Sequence, residues 1–114
     1  MVAAAQPAGS LTRSNEQKVA DYVEANLDRN IGLNDLAQLA GLSRFHFLRA
    51  FKKTTAETPY QYLLRRRIER AQALLTEGSL SVTEIASAVG FKDSTQFIRT
   101  FRTKVGVTPG KYRG

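Results

Sequence analysis

The side chains of this chain that could do chemistry are mainly arginines and lysines, which make up 17 of its 114 residues. There is no cysteine and one histidine, His46, so thiol catalysis, disulfides and cysteine-ligated zinc are excluded. A lone histidine without a carboxylate cluster indicates a hydrogen-bonding residue rather than a metal ligand or catalyst. Neither a nucleophile with its base nor a phosphate-cradling glycine loop is present. The sequence therefore predicts no enzyme, no metal and no cofactor.

The positive charge is concentrated in the later part of the chain. Residues 1–43 hold three basic and five acidic side chains, a net charge of −2, whereas residues 44–114 hold fourteen basic and five acidic ones, a net charge of +9. A one-sided excess of this kind is typical of a protein that binds a polyanion. No apolar run approaches the roughly 18–20 residues of a membrane span, and the N-terminus has no leader pattern. We therefore expect a soluble intracellular protein without a membrane partner.

The basic residues lie within a pattern that occurs twice. The same order of small, aromatic and turn-forming residues returns at an offset of 49 residues as far as the position after the glycines, and of 50 residues from Phe47 and Phe97 onward. A repeat of this length is a supersecondary unit used twice. The matching residues are Leu36, Ala37, Ala40, Gly41, Leu42, Phe47, Phe51, Lys52, Thr58, Pro59 and Tyr62, and then Ile85, Ala86, Val89, Gly90, Phe91, Phe97, Phe101, Arg102, Thr108, Pro109 and Tyr112.

Helical signals dominate the rest of the pattern, and no strand is predicted. Thr58, followed by Pro59 and Gln61, is typical of a capping box with proline at the first helical position. Ser81 with Glu84 repeats the capping signal. Residues 1–12 lack periodicity and are predicted to be a flexible tail or linker. The predicted helices span residues 15–29, 33–40, 44–54, 59–76, 82–89 and 94–104, with a short one from residue 109.

Each repeat therefore contains a short helix, a tight turn with glycine and a longer second helix. This is the helix-turn-helix pattern, in which a small alanine allows close crossing and the glycine permits a positive φ. The second helix of this motif enters the DNA major groove. The alternative is an ordinary helical hairpin in a bundle, but two copies with the same downstream Phe-x-x-x-Phe-[Lys/Arg] and Thr-Pro favour the helix-turn-helix.

The stretch from Leu33 to Arg113, including FHFLRAFKKTTAETPYQYLLRRRIERAQALL and VTEIASAVGFKDSTQFIRTFRTKVGVTPGKYR, resembles the DNA-binding domain of AraC/XylS regulators of bacterial transcription. The resemblance implies an all-α fold of seven helices, with two helix-turn-helix subdomains joined by a long central helix. The implied domains are a tail (1–12), a first subdomain (13–57), a connecting helix (58–77) and a second subdomain (78–114). The implied partner is double-stranded DNA in the bacterial cytoplasm, read at two adjacent major-groove segments, with RNA polymerase as a second candidate partner.

In the first recognition helix, helix phase places Phe47 and Phe51 in the core and turns the other side outward. Arg49 is the best candidate for a base contact, because its planar fork can pair with guanine O6 and N7. Phe45 and Leu48 suit thymine methyls or sugars, although Phe45 could instead pack on a neighbouring helix. The candidate DNA-binding residues of this helix are Arg44, Phe45, His46, Leu48, Arg49 and Lys52.

In the second recognition helix, Gln96 suits adenine and Arg99 suits guanine or phosphate. Arg102 occupies the position equivalent to Lys52, and both suit phosphate. Asp93 is interpreted as the helix cap. By resemblance, Ser94, Thr95, Gln96 and Arg99 hold positions that face the groove, and the candidate DNA-binding residues of this helix are Ser94, Thr95, Gln96, Ile98, Arg99 and Arg102.

Two features of the sequence leave alternatives open. Ala56 stands where the second unit has Gly106; if it adopts a positive φ it costs roughly 1 kcal/mol, and otherwise the first unit turns differently. The arginines at 65, 66, 67 and 70 fan around a helix, so a solvated face with a pair between Arg65 and Glu69 competes with assistance to DNA or protein binding.

The leading hypothesis is a sequence-specific DNA-binding transcription regulator, and the rival is a nucleoid-like protein with little sequence preference. The two copies match in cores, caps and turns, but we expect most groove-facing positions to differ, because Phe45, His46 and Leu48 have no counterparts in Ser94, Thr95 and Ile98. The sequence therefore predicts a monomer on an asymmetric site rather than a dimer on a palindrome.

Overall fold

The computed structural model describes residues 9–114, and these residues form seven helices and no strand. The all-α prediction is confirmed, and the helices recur in the predicted order. They are α1 (Arg13–Ala25), α2 (Leu33–Leu39), α3 (Arg44–Thr55), α4 (Pro59–Glu77), α5 (Val82–Ala88), α6 (Ser94–Val105) and α7 (Pro109–Arg113).

The largest departure from the prediction concerns α1 and the residues before it. The helix begins at Arg13, because the Thr12 Oγ1 accepts the Asn15 N–H at 3.0 Å and caps it, and it ends at Ala25 instead of near residue 29. Leu11 is only 1% exposed, and its N–H donates to the Thr54 Oγ1 at 2.9 Å. Residues 11 and 12 are therefore part of the fold rather than of the predicted tail, whose residues 1–8 lie outside the described part.

The helices divide into two compact units. The first extends to Asn26 and resumes at Ile31–Leu63, and the second comprises Leu27–Asn30 with Leu64–Gly114. The long helix α4, which covers most of the predicted connecting helix at 58–77, begins in the first unit and continues in the second from Leu64. The buried side chains of α4 follow this division, with Leu63 in the first unit and Ile68, Ala71 and Leu75 in the second.

The aromatic residues of the repeat form an equivalent cluster in each unit. In each unit a buried phenylalanine contacts a second one four residues later, and the second contacts a tyrosine edge to face, the arrangement that aromatic rings prefer. The centroid distances are 5.5 and 5.4 Å for Phe47–Phe51–Tyr62 and 5.7 and 5.5 Å for Phe97–Phe101–Tyr112.

The capping signals read from the sequence are present as reciprocal hydrogen bonds. The Gln61 N–H donates to the Thr58 Oγ1 at 3.1 Å, and the Thr58 N–H donates to the Gln61 Oε1 at 3.0 Å. The Ser81–Glu84 pair repeats this arrangement at 2.8 and 3.0 Å. Since α4 and α5 begin at these boxes, the starts of both helices follow from local sequence.

The Ser81–Glu84 box makes stability depend on pH. The hydrogen bonds from the Ser81 backbone and then from its side chain lower the pKa of Glu84 below its ordinary value of 4.5. A carboxyl with a lowered folded-state pKa contributes stability above its ordinary pKa and loses that contribution as pH falls through the folded value.

We expect Glu84→Gln to flatten the decline of unfolding free energy between about pH 5 and 3. Gln61→Glu, which places a carboxyl at the equivalent position of the Thr58 capping box, is expected to steepen the decline. Urea titrations across this pH range measure both effects.

The turn after α3 contains Ala56, for which the sequence left open either a positive φ or a different turn. Ala56 has φ 66°, in the same left-handed region as Gly106 with φ 101°, and each N–H closes its helix at 2.8 Å onto the carbonyl four residues earlier. The first unit therefore turns in the same way as the second, with an alanine in a conformation that L-residues disfavour.

Ala56→Gly is expected to raise the free energy of unfolding by about 0.5–1 kcal/mol, because relief of the left-handed strain exceeds the added entropy of the unfolded chain. Gly106→Ala is expected to lower it by about 1 kcal/mol. Urea denaturation measures both. A loss of stability in Ala56→Gly would contradict this account.

Candidate nucleic-acid interface

The outer side of α3 is formed by the candidate DNA-binding residues predicted from the sequence. Phe47, Ala50 and Phe51 are buried, so the helix presents its opposite side to solvent. Phe45 is 79% exposed, which argues against its packing on a neighbouring helix. The exposed residues of the predicted set are Arg44, Phe45, His46, Leu48, Arg49 and Lys52.

The outer side of α6 is arranged in the same way. Phe97 and Phe101 have no exposed surface and hold this helix in the second unit. Thr95, Gln96, Ile98, Arg99 and Arg102 are exposed, and Ser94 is half-buried.

Both helices begin at a side-chain cap, which sets the phase of the exposed residues. The Ser43 Oγ accepts the His46 N–H at 3.1 Å, and the Asp93 Oδ1 accepts the Gln96 N–H at 2.8 Å. The interpretation of Asp93 as a cap is confirmed. A capped first turn places the next residues of each helix at defined angles, so the two outer sides can be compared position by position.

That comparison corrects the expectation that the two surfaces differ at most positions. Both helices are 12 residues long and their caps are 50 residues apart, so Leu48 corresponds to Ile98, and each is 37% exposed. Arg49 likewise corresponds to Arg99. The surfaces share an apolar residue, an arginine and a basic residue, and they differ at the first three positions, Arg44-Phe45-His46 against Ser94-Thr95-Gln96.

Each outer side borders an open groove, and each groove contains one residue that is not among the predicted DNA-binding residues. A groove of about 470 Å³ is lined by His46, Arg49 and Lys53 together with Ser43, Phe45 and Gly9. In the second unit, a groove of about 640 Å³ includes Arg99 and Thr103. Lys53 and Thr103 are equivalent positions four residues after the arginines, and that helical spacing could have identified them.

The guanidinium groups of Arg49 and Arg99 are available to a ligand. Within residues 9–114, neither forms a side-chain hydrogen bond or an ion pair. In the arginine cluster of α4, by contrast, Arg65 and Arg66 bind Glu69 at 3.2 and 2.7 Å, so the predicted pairing with Glu69 is confirmed. The cluster is thus not one common binding surface.

No group of acidic or histidine side chains able to hold a metal occurs within the described part of the chain. None of the helices there is both long and apolar enough to cross a lipid bilayer.

Comparisons with known proteins agree with this geometry. A family model described as a helix-turn-helix domain matches residues 36–114. The chain is 31% identical to a transcriptional regulator from Chromobacterium violaceum described as containing an AraC-type DNA-binding domain, with a TM-score of 0.82 over 89% of this chain and 90% of that one. It is 32% identical to the DNA-binding domain of AdpA in complex with a target DNA, with a TM-score of 0.81 over 90% and 91% of the two chains.

Curated relatives are longer proteins. The chain is 38% identical over 92 residues to the MmsAB operon regulatory protein of Pseudomonas aeruginosa. These 92 residues cover 81% of this chain and 30% of that protein. Across three curated regulators, the chain spans 30 to 41% of their lengths. The similarity therefore concerns one part of these regulators.

Proposed function

Because the chain belongs to the AraC-type family of helix-turn-helix DNA-binding domains, we propose that it binds double-stranded DNA sequence-specifically and regulates bacterial transcription. The two recognition helices are α3 and α6, and each inserts its outer side into one of two adjacent major-groove segments. The observation that carries this proposal is the pair Arg49 and Arg99, which occupy equivalent positions on capped helices and whose guanidinium groups bind no other side chain within residues 9–114. An arginine so placed can pair with guanine O6 and N7.

The other exposed residues divide by chemistry between bases and phosphates. Gln96 suits an adenine edge, whereas Phe45, Leu48 and Ile98 offer only apolar contacts. Phosphate contacts set the register of the protein on the duplex without reading sequence. We assign this role to Lys52, Arg102 and Lys53, with Arg44, His46, Ser94 and Thr95 completing the two surfaces.

Selection of bound duplexes from a random DNA pool tests the function directly. Two unlike boxes about one helical turn (10–10.5 bp) apart, bound by one chain, are expected, since the first three positions of the two helices differ. A single palindromic box bound by two chains would contradict the monomeric mode. Sedimentation of the protein with the selected duplex measures the stoichiometry.

The rival function is DNA binding without sequence preference. A specific regulator is expected to bind its selected duplex at least about 10³-fold more tightly than unrelated DNA at physiological salt. Competition titrations measure this ratio, and a ratio well below that value at every selected site would favour the nucleoid-like function. The proposed location is the bacterial cytoplasm. A contact with RNA polymerase is a second proposed interaction, and pull-down of the polymerase on promoter DNA that carries the selected site tests it.

A further inference from the structure

The turn of the second helix-turn-helix lies against another segment of the same unit. Gly90 has φ 92°, and a Cβ added there would overlap the carbonyl oxygen of Leu27 and lie 2.8 Å from the Arg67 guanidinium. The equivalent Gly41 has φ 67°, but a Cβ there would meet nothing within 4 Å. Only the second turn therefore combines a left-handed backbone with close contact to another segment.

That segment is Leu27–Asn30, the connection that follows α1, and Arg67 holds it. The Arg67 Nε donates to the Leu27 carbonyl at 3.1 Å, and its Nη2 donates to the Arg29 carbonyl at 2.7 Å. Leu27 is 5% exposed. A planar guanidinium satisfies two carbonyl groups beyond a helix end with one rigid group, which an ammonium cannot do in the same way. All of these residues belong to the second unit.

The turn leads directly into the second recognition helix. The Gly90 N–H donates to the Ser87 carbonyl at 3.1 Å, and the Phe91 N–H donates to the Ala86 carbonyl at 3.0 Å. The Phe91 ring lies 5.3 Å from that of Phe97, on the inner side of α6. A displacement of the Gly90 backbone would therefore shift the side chain that anchors α6.

We propose that Arg67, Gly90 and the Leu27–Asn30 segment form a clamp that positions α6 for DNA reading, so that Arg67 is a positioning residue and not a DNA ligand. This inference rests on the proposed function. The neighbouring arginines serve a different purpose, since Arg65 and Arg66 bind Glu69. The clamp makes the second recognition helix depend on a segment nearly forty residues earlier than Arg67 in the chain.

The first experiment compares Arg67→Met, Arg67→Lys and the exposed control Arg70→Met in the full chain, each verified as folded by circular dichroism at the assay temperature. The probes are the duplex selected from the random pool and the same duplex with the second box scrambled. Arg67→Met is expected to weaken binding to the intact duplex about tenfold, because a charged donor is removed from two carbonyl groups. It should leave binding to the scrambled duplex and the salt dependence of binding unchanged.

Arg67→Lys is expected to recover part of the lost affinity, because its ammonium can still donate to one carbonyl. Arg70→Met should bind the intact duplex like the wild type. If Arg67 were a phosphate ligand, Arg67→Met would reduce the slope of log affinity against log salt by about 1. That change, or equal weakening on both duplexes, would overturn the clamp, whereas failure of the wild type to select any DNA would overturn the proposed function instead.

The second experiment separates close contact from backbone conformation. Asparagine tolerates the left-handed region better than other L-residues, so Gly41→Asn and Gly90→Asn carry a similar conformational cost. Only the asparagine at 90 meets the Leu27 carbonyl and Arg67. Gly90→Asn is expected to accelerate amide hydrogen exchange at Phe91 and to lose recognition of the second box, with Gly41→Asn near wild type in both. Equal behaviour of the two variants would overturn the clamp.

Discussion

Replacing Arg49 and Arg99 together by alanine is expected to weaken binding to the selected duplex by roughly 30- to 20,000-fold. Each bidentate arginine–guanine pair contributes about 1–3 kcal/mol of discrimination, and the two sites lie in different units, so their contributions should add. Ten-fold in affinity corresponds to about 1.4 kcal/mol. Titration of the double and both single variants against duplexes with one base pair changed at a time measures the loss. Each single variant should relax preference at its own box only.

The matched control is Lys52→Ala combined with Arg102→Ala. These residues occupy equivalent positions one turn further along α3 and α6, and we assign them to phosphates. Their loss should weaken binding to selected and unrelated DNA alike and reduce the salt slope by about 1 for each contact removed. Equal, sequence-blind losses in both double variants would contradict the division into base-reading and phosphate-binding residues.

Phe97→Ala is expected to lower the free energy of unfolding of the second unit by about 3–5 kcal/mol. Its ring is fully buried and lies 5.3 Å from Phe91 and 5.7 Å from Phe101, so truncation removes the centre of the core and leaves a cavity. Since a domain of this size has a total stability of about 5–15 kcal/mol, this loss removes a large part of the stability, and recognition of the second box should weaken as the temperature rises. Urea denaturation followed by circular dichroism measures the change.

Two phenylalanines of the first unit serve as controls for this prediction. Phe47 is equivalent to Phe97 and equally buried, so Phe47→Ala should cost a similar amount in the first unit. Phe45 is 79% exposed, and Phe45→Ala should change stability by less than about 0.5 kcal/mol while weakening DNA binding. A large loss of stability in Phe45→Ala would show that this residue supports the fold instead of facing the ligand.

Much of the fold could be predicted because its determinants are local. The caps Ser43, Ser81 and Asp93 lie within three residues of the N–H groups that they bind, so a short stretch of sequence contains both partners. The outward set on α3 and α6 followed from helix phase once the buried phenylalanines were identified. Which of these residues contact bases stays a prediction, because the ligand that would distinguish them is a separate molecule.

The limits of the first helix could not be predicted in the same way. Valines at four-residue spacing made Leu27 look like a continuation of α1, whereas the helix ends at Ala25 and Leu27 is buried separately in the second unit. Leu11 looked like part of a tail, yet its N–H binds the Thr54 hydroxyl 43 residues later. Apolar periodicity reports that a side chain is buried, but it does not report which partner buries it.

The sequence by itself determined that the chain forms two helix-turn-helix units, because periodicity, caps and turn glycines act over a few residues. Only the tertiary structure decided how the two turns differ. Gly41 and Gly90 look equivalent in the sequence, but the Leu27 carbonyl and Arg67 lie against Gly90 alone. Contacts between segments separated by 40 residues depend on the packing of the whole unit, so no local pattern encodes them.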